Sequence, residues 1–354
     1  MGNFDDLAMA VASFSGNNKV IFDDVGMPSI MVGIPKMKYS DIITDGTTDT
    51  LPWWIVDGVE KNVIWVSKYI NTMVNSRAYS LPMKDPHTGV NFDNALLYCR
   101  NKGTGWHLNQ NGVFAAINLW NEKNSTIPRG NTNWDASYTN AYERGVNTYN
   151  DSAYTDGRGG RTATGSGPVT WYHDHRSSGI ADLCGNCWEW VSGMRLINGE
   201  IQIIPYGNAM KSTTSMTADS AEWKAIMPDG TLVNPVTVGT LKVDRTSSSD
   251  ATLRINTSIT AQTDDTNDTN TPFKDTKAVS GVNIPKILIA AGLFPDSAQT
   301  APGRFLARNH GERLPLRGSS FHNASDGGVS ALHLHYPRSR VGYNASFRSA
   351  FVDL

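Results

Sequence analysis

Short apolar runs separated by Gly, Pro, Asn and Asp recur along most of this chain, which is the pattern of short strands joined by turns. The stretch from Leu7 to Ala12 predicts a short helix, and Val20-Ile21-Phe22 and Ile30-Met31-Val32 predict strands around a turn. Residues 1–45 are set apart on this reading, as an attachment arm or as a first hairpin, and 46–354 form the main domain. Trp53-Trp54-Ile55-Val56 reads as a strand. So does 63–69, where Ile64, Val66 and Lys68 alternate with Val63, Trp65, Ser67 and Tyr69.

The period then changes. Phe92, Ala95, Leu96 and Cys99 fall on one face of a helix over 91–103, with Asn91 as its N-cap, Gly103 as its stop and Cys99 as buried structure. Val113, Ala116, Ile117 and Trp120 repeat the spacing over 112–120. Residues 121–170 are a long polar loop whose Trp and Tyr residues predict pinning onto the domain. In Gly185-Asn186-Cys187-Trp188-Glu189-Trp190 the two Trp share one face of a strand, while Glu189 points the other way and needs a partner if buried. Strands and turns follow at 201–205 and 221–230. Residues 246–280, rich in Thr, Ser, Asp and Asn, read as an exposed insertion, least structured at 263–270. A buried helix or strand is expected at 285–294.

The stretch 317–348 mixes two kinds of residue. Arg317, Gly318, Phe321, Ala331, Leu332, Leu334, Phe347 and Arg348 read as scaffold. Leu332 and Leu334 share one strand face, so His333 and His335 are expected on the other, towards solvent or a ligand. The expected exposed set is His322, Asn323, Ser325, Asp326, Gly328, His333, His335, Tyr336, Arg340, Gly342, Tyr343, Asn344 and Ser346. Each type in it is reached from an Asn codon, AAC or AAT, by changing adenines alone. From Phe321 to Ser346 there is no Lys, Glu, Gln, Met or Trp, the five types never encoded by a codon ending in C or T.

Composition narrows the function. A net charge of −2 gives no electrostatic case for a nucleic-acid partner. With 18% charged residues, 32 Gly and 10 Trp the chain reads as loop-rich with aromatic anchors. Three cysteines are too few for a disulfide scaffold, and neither a signal peptide nor a membrane-spanning run is read. Synthesis in a reducing cytoplasm is the expectation. No phosphate loop is present, and the Cys184-x-x-Cys187 spacing reads as structural thiols.

The codon-restricted stretch, bordered by Arg317-Gly318-Ser319-Ser320-Phe321 and Ser346-Phe347-Arg348, resembles the variable region of diversity-generating retroelement variable proteins. In those, a reverse transcriptase copies an Asn-rich template and scrambles its adenines. The same borders, the helical pair and the Gly-Asn-x-Trp-Glu-Trp strand resemble the formylglycine-generating-enzyme type of C-type lectin fold. The resemblance implies an α+β, loop-rich fold with antiparallel strands and two helices, and a non-enzymatic ligand-binding protein of a phage or prophage. Its expected partners are a protein or glycan receptor on a host cell surface and a tail or virion component, with a tail-tip location. A structural calcium ion is also implied, held by Asp182, Gly185, Cys187 and Glu189; no other cofactor is. Two alternatives stay open, an oxidoreductase of the formylglycine-generating type and a structural virion protein. The first lacks its cysteine pair, since no cysteine follows Cys187. His173-Asp174-His175 reads as surface loop histidines.

Overall fold

Strand pairing carries this fold, with helices filling the gaps between sheets. The structure is a computed structural model describing residues 3–15 and 17–354. Met1, Gly2 and Gly16 of the 1–45 segment lie outside the described residues. The architecture is mixed α/β and strand-rich. Five helices occur among the described residues, α1 (Asn3–Phe14), α2 (Tyr39–Ile42), α3 (Phe92–Arg100), α4 (Asn111–Lys123) and α5 (Lys286–Ala290).

One sheet of five strands runs in the order Asn18–Phe22, Pro28–Pro35, Val63–Ser67, Ser349–Phe351, Trp106–Leu108. The 18–35 hairpin is thus the edge of a sheet that also holds the last strand. A boundary at 45 would cut through that sheet. Leu7, Ala8 and Val11 of α1 pack onto Val20, Ile30, Tyr69 and Tyr172, so this helix lies against the hairpin. Pro52 starts a single 3-10 turn, Pro52–Trp54, instead of the expected strand, and only Ile55–Val56 is extended. The ring of Pro52 fixes φ and removes a ladder donor.

Helix α3 begins as expected. Asn91 Oδ1 accepts the Asn94 N–H at 2.9 Å, and Phe92, Ala95, Leu96 and Cys99 are buried. Helix α4 runs beyond the predicted 112–120 on both sides. It is buried along most of its length, which a single apolar stripe does not reveal.

A second sheet runs Asn270–Pro272, Arg304–Ala307, Leu332–Leu334, Leu316–Arg317, Trp188–Trp190, Ala345–Phe347. A third, of eight strands, includes Glu200–Ile203, Lys242–Arg245 and Leu253–Asn256. The 246–280 segment is therefore not simply an exposed insertion. Leu253, Ile255 and Phe273 are buried in the core, and three of its stretches pair in sheets. Its polar composition hides these few apolar anchors.

Two buried guanidinium groups tie the second sheet to its neighbours, one to the helices and one to the five-stranded sheet. Arg317 donates to Asn111 Oδ1 at 2.9 and 2.8 Å and to the carbonyls of Ala291 and Gly292 at 3.0 and 2.9 Å. Arg348 reaches both oxygens of Glu189, at 3.0 and 2.8 Å, and the carbonyls of Ser67 and Ala181, at 2.8 and 2.9 Å. Its side chain is 0% exposed and that of Glu189 is 1% exposed, so the pair is fully desolvated. Replacing one member strands the other charge. The Arg348→Met variant is expected to lose about 3–5 kcal/mol of stability in urea unfolding, and adding Glu189→Met to recover part of it. Equal losses in the single and double variants would contradict the pairing.

Candidate functional site

The 317–348 stretch starts and ends on these two arginines, so its ends are fixed in the core. Between them the expected exposed set divides in two. Gly328, His333, His335, Gly342 and Ser346 are buried. At Gly328 an added Cβ would lie 2.0 Å from the Pro302 carbonyl oxygen, so this position serves the backbone. Ser346 donates to the His87 carbonyl at 2.6 Å. Asn323 is half-buried and spends its amide oxygen on Ser320, accepting from N–H at 2.7 Å and from Oγ at 2.8 Å. Asn344, also half-buried, lies 3.5 Å from Ser320 Oγ through Nδ2.

The two histidines are the main correction. The alternation is as expected, with Leu332–Leu334 a strand, but the second face is covered. His333 is 8% exposed and His335 5% exposed. His335 Nε2 lies 3.0 Å from the Thr269 carbonyl oxygen, so the supposed insertion lies over it. His333 stacks with Trp188, His335 and Tyr336 at centroid distances of 5.1, 4.9 and 4.6 Å, and neither of its ring nitrogens has a hydrogen-bond partner. Burial holds the His335 pKa down at about 4 and that of His333 well below the ordinary 6.5.

What remains on the surface is His322, Ser325, Asp326, Tyr336, Arg340 and Tyr343, all exposed or half-buried. Tyr343 is 43% exposed, and its ring lies 6.2 Å from His322 and 6.1 Å from Phe321. The Arg340 guanidinium sits 4.6 Å from the Tyr336 ring. Asp326 pairs with Arg304 at 2.6 Å.

The long loop supplies the residues the sequence reading did not assign. Tyr149 lies 6.1 Å from Tyr343 and 6.4 Å from Phe321. Trp134 stacks edge-on with Tyr154 at 5.5 Å, and its backbone N–H donates to the Phe321 carbonyl at 2.7 Å. Arg158 lies over both rings, at 4.7 and 4.0 Å. Arg161 donates to the Tyr343 carbonyl at 2.8 Å and stacks on Tyr149 at 4.1 Å. Nearby Tyr138 and Tyr142 are exposed. The available signal was four Tyr and one Trp within a polar loop, the composition of a recognition surface.

The Gly-Asn turn holds that loop in place. Asn186, at φ 63°, accepts the Thr162 N–H at 2.9 Å and donates to the Thr162 carbonyl at 3.0 Å. Its own N–H donates to the Asn131 carbonyl at 2.7 Å, and Asn131 Nδ2 donates to Gly160 O at 2.7 Å. Asp182, Gly185, Cys187 and Glu189 do not fit a calcium ion. Both Glu189 oxygens are taken by Arg348, and one Asp182 oxygen accepts the Gly165 N–H at 2.8 Å. Burial lifts the Asp182 carboxyl to about 6. Among the described residues no group of three or more His, Cys, Asp or Glu is placed to hold a metal ion.

Cys99, Cys184 and Cys187 are free and buried, and burial pushes the Cys184 thiol up to about 12. His173 is not a surface residue: it is 7% exposed, while His175 is half-buried with Nε2 3.1 Å from the Ile127 carbonyl oxygen. No helix among the described residues is long and apolar enough to cross a membrane.

Two measurements check this site. The folded pKa values of His333 and His335 lie below the unfolded value, so the unfolded chain binds more protons as pH falls and stability drops. His333→Phe keeps the ring contacts, removes one such group, and is expected to shrink the loss of Tm between about pH 7 and pH 5. An unchanged pH dependence would place His333 in a solvated setting. Asn186→Ala removes the loop clamp and is expected to cost roughly 1–3 kcal/mol, with faster hydrogen exchange across 148–163.

No family model matches the chain, and no curated protein matches it. Among solved structures it is similar to Treponema denticola variable protein 1, with 9% identity and a TM-score of 0.35, covering 95% of this chain and 99% of that one. The likeness is a distant one of fold, and no residue role is carried from it.

Proposed function

We propose that this chain is a ligand-binding protein whose recognition surface joins the exposed residues of 322–343 to the aromatic loop at 134–158. The observation that carries this reading is the gathering of His322, Tyr343, Tyr149, Trp134 and Tyr154 over a scaffold whose buried arginines fix both ends of the stretch. Tyr and Trp offer large contact area at small entropic cost, and His, Ser and Asp offer adaptable hydrogen bonds. A few anchors of this kind dominate binding energy. No reactive group is assigned: the thiols are buried and protonated, and the function is non-enzymatic.

The finer reading rests on the resemblance. The scaffold is a C-type lectin fold of the formylglycine-generating type, and the restricted residue set reflects adenine-directed diversification. The protein then belongs to a phage or prophage, is made in the bacterial cytoplasm, and meets a protein or glycan receptor on a host surface from the tail tip. Several copies would add avidity to modest single-site affinity.

The gene tests the diversification. Codons for His322, Asp326, Tyr336, Arg340 and Tyr343 are expected to end in C or T, with a nearby near-copy carrying AAC or AAT there and a reverse transcriptase gene beside it. Codons ending in A or G as often as not, with no such copy, would overturn it. Binding is tested with Tyr343→Ala on a glycan array and on intact bacterial cells. Signal present in the parent is expected to fall at least tenfold while Tm stays within about 3 °C. Tyr336 is unsuited to this test, because its ring packs on buried His333 and its loss would disturb the fold. Unfolding of Tyr343→Ala, or unchanged binding, would count against the surface.

A further inference from the structure

A cavity of about 460 Å³ opens on the far side of helix α4 from Arg317 and the variable stretch, lined by the Pro28–Pro35 strand, the C-terminal half of α4 and the 173–178 turn. Its volume falls in the range of small-ligand sites. Val32, Ile34 and Ile117 form an apolar wall, and half-buried Trp120 flanks them. The recognition surface described above uses none of these residues.

The polar end is built around His173. Its Nδ1 accepts the Ile180 N–H at 2.8 Å, an arrangement open only to the neutral ring with its proton on Nε2. The tautomer is therefore set by the backbone. Asp174 lies 4.0 Å from Nδ1, away from the donor edge of the ring. Nε2 has no hydrogen-bond partner among the described residues, and the residue, 7% exposed, lines the cavity. Trp120 holds the ring from one side at a centroid distance of 6.0 Å. On the cavity rim Arg176 is exposed, and among the described residues its guanidinium makes no ion pair or hydrogen bond, while its backbone N–H donates to Asp174, which also lines the cavity, at 3.0 Å. A donor fixed in direction at the cavity, with no protein acceptor, is free to serve a bound group.

We infer that this cavity is a binding site for a small carboxylate with a compact apolar or aromatic body. The body lies against Val32, Ile34, Ile117 and Trp120. One carboxylate oxygen accepts the His173 Nε2–H, and Arg176 supplies the opposite charge at the rim. A neutral amide of the same shape would keep the apolar contact and lose the charge-assisted bond.

The test is an NMR titration of the whole isotopically labelled chain with phenylacetate and, separately, phenylacetamide. Phenylacetate is expected to give saturable shifts at amides of 32–34, 117–120 and 173–180, and to bind about five- to tenfold tighter than phenylacetamide. Arg176→Gln, an exposed change that leaves folding alone, is expected to remove that preference. Ile117→Phe fills the cavity and is expected to abolish both titrations. Equal affinity for acid and amide, or an undiminished preference in Arg176→Gln, would overturn the carboxylate assignment. No saturable shift at these amides up to about 10 mM phenylacetate would overturn the site.

Discussion

The bond between Arg348 and Glu189 is the constraint on which the 317–348 stretch depends. It joins the end of that stretch to the Trp188–Trp190 strand, and through the Ser67 carbonyl it reaches the five-stranded sheet. Taking both charges out of water is tolerable because both carboxylate oxygens and all three guanidinium nitrogens are hydrogen-bonded. Geometry this well satisfied admits little displacement. Arg317 plays the matching part at the other end, joining its strand to α4 and the chain after α5. The surface side chains between these two points, His322, Ser325 and Tyr343 among them, stand on a backbone that is held at both ends.

Such fixing separates residues that look alike in sequence. His322 and His333 have the same chemistry and lie in the same stretch, yet one is half-buried at the surface and the other is sealed under Trp188 and Tyr336. Substitutions at 333 act on stability first, and substitutions at 322 or 343 act on the surface. The aromatic loop at 134–158 belongs to the surface although it lies far away in sequence, because the Asn186 amide clamps its return at Thr162.

Much of the scaffold was legible in the chain. The Asn91 cap, the buried face of α3, the shared face of Trp188 and Trp190 and the need of Glu189 for a partner all follow from spacing. The identity of that partner did not, because Arg348 lies 159 residues away and no local pattern links the two. The alternation at Leu332 and His333 was also legible, but alternation says which residues share a face and not whether that face is covered. The cover comes from Thr269, in a segment whose polar composition reads as solvent-exposed. The tyrosines of the long loop were visible as composition; the seat of Tyr149 against Phe321 and Tyr343 depends on a clamp from Asn186, distant in sequence, to Thr162.

The strand Ser349–Phe351, which follows the variable stretch, lies inside the five-stranded sheet and not at its edge. During synthesis the ribosome therefore releases the whole variable stretch before the sheet can close around that strand. A product ending early, or shifted in reading frame within 322–346, lacks the strand between Val63–Ser67 and Trp106–Leu108 and leaves both with open edges. Folding then acts as a proofreader of length and frame. A chain that ends or changes frame within the stretch cannot complete the five-stranded sheet.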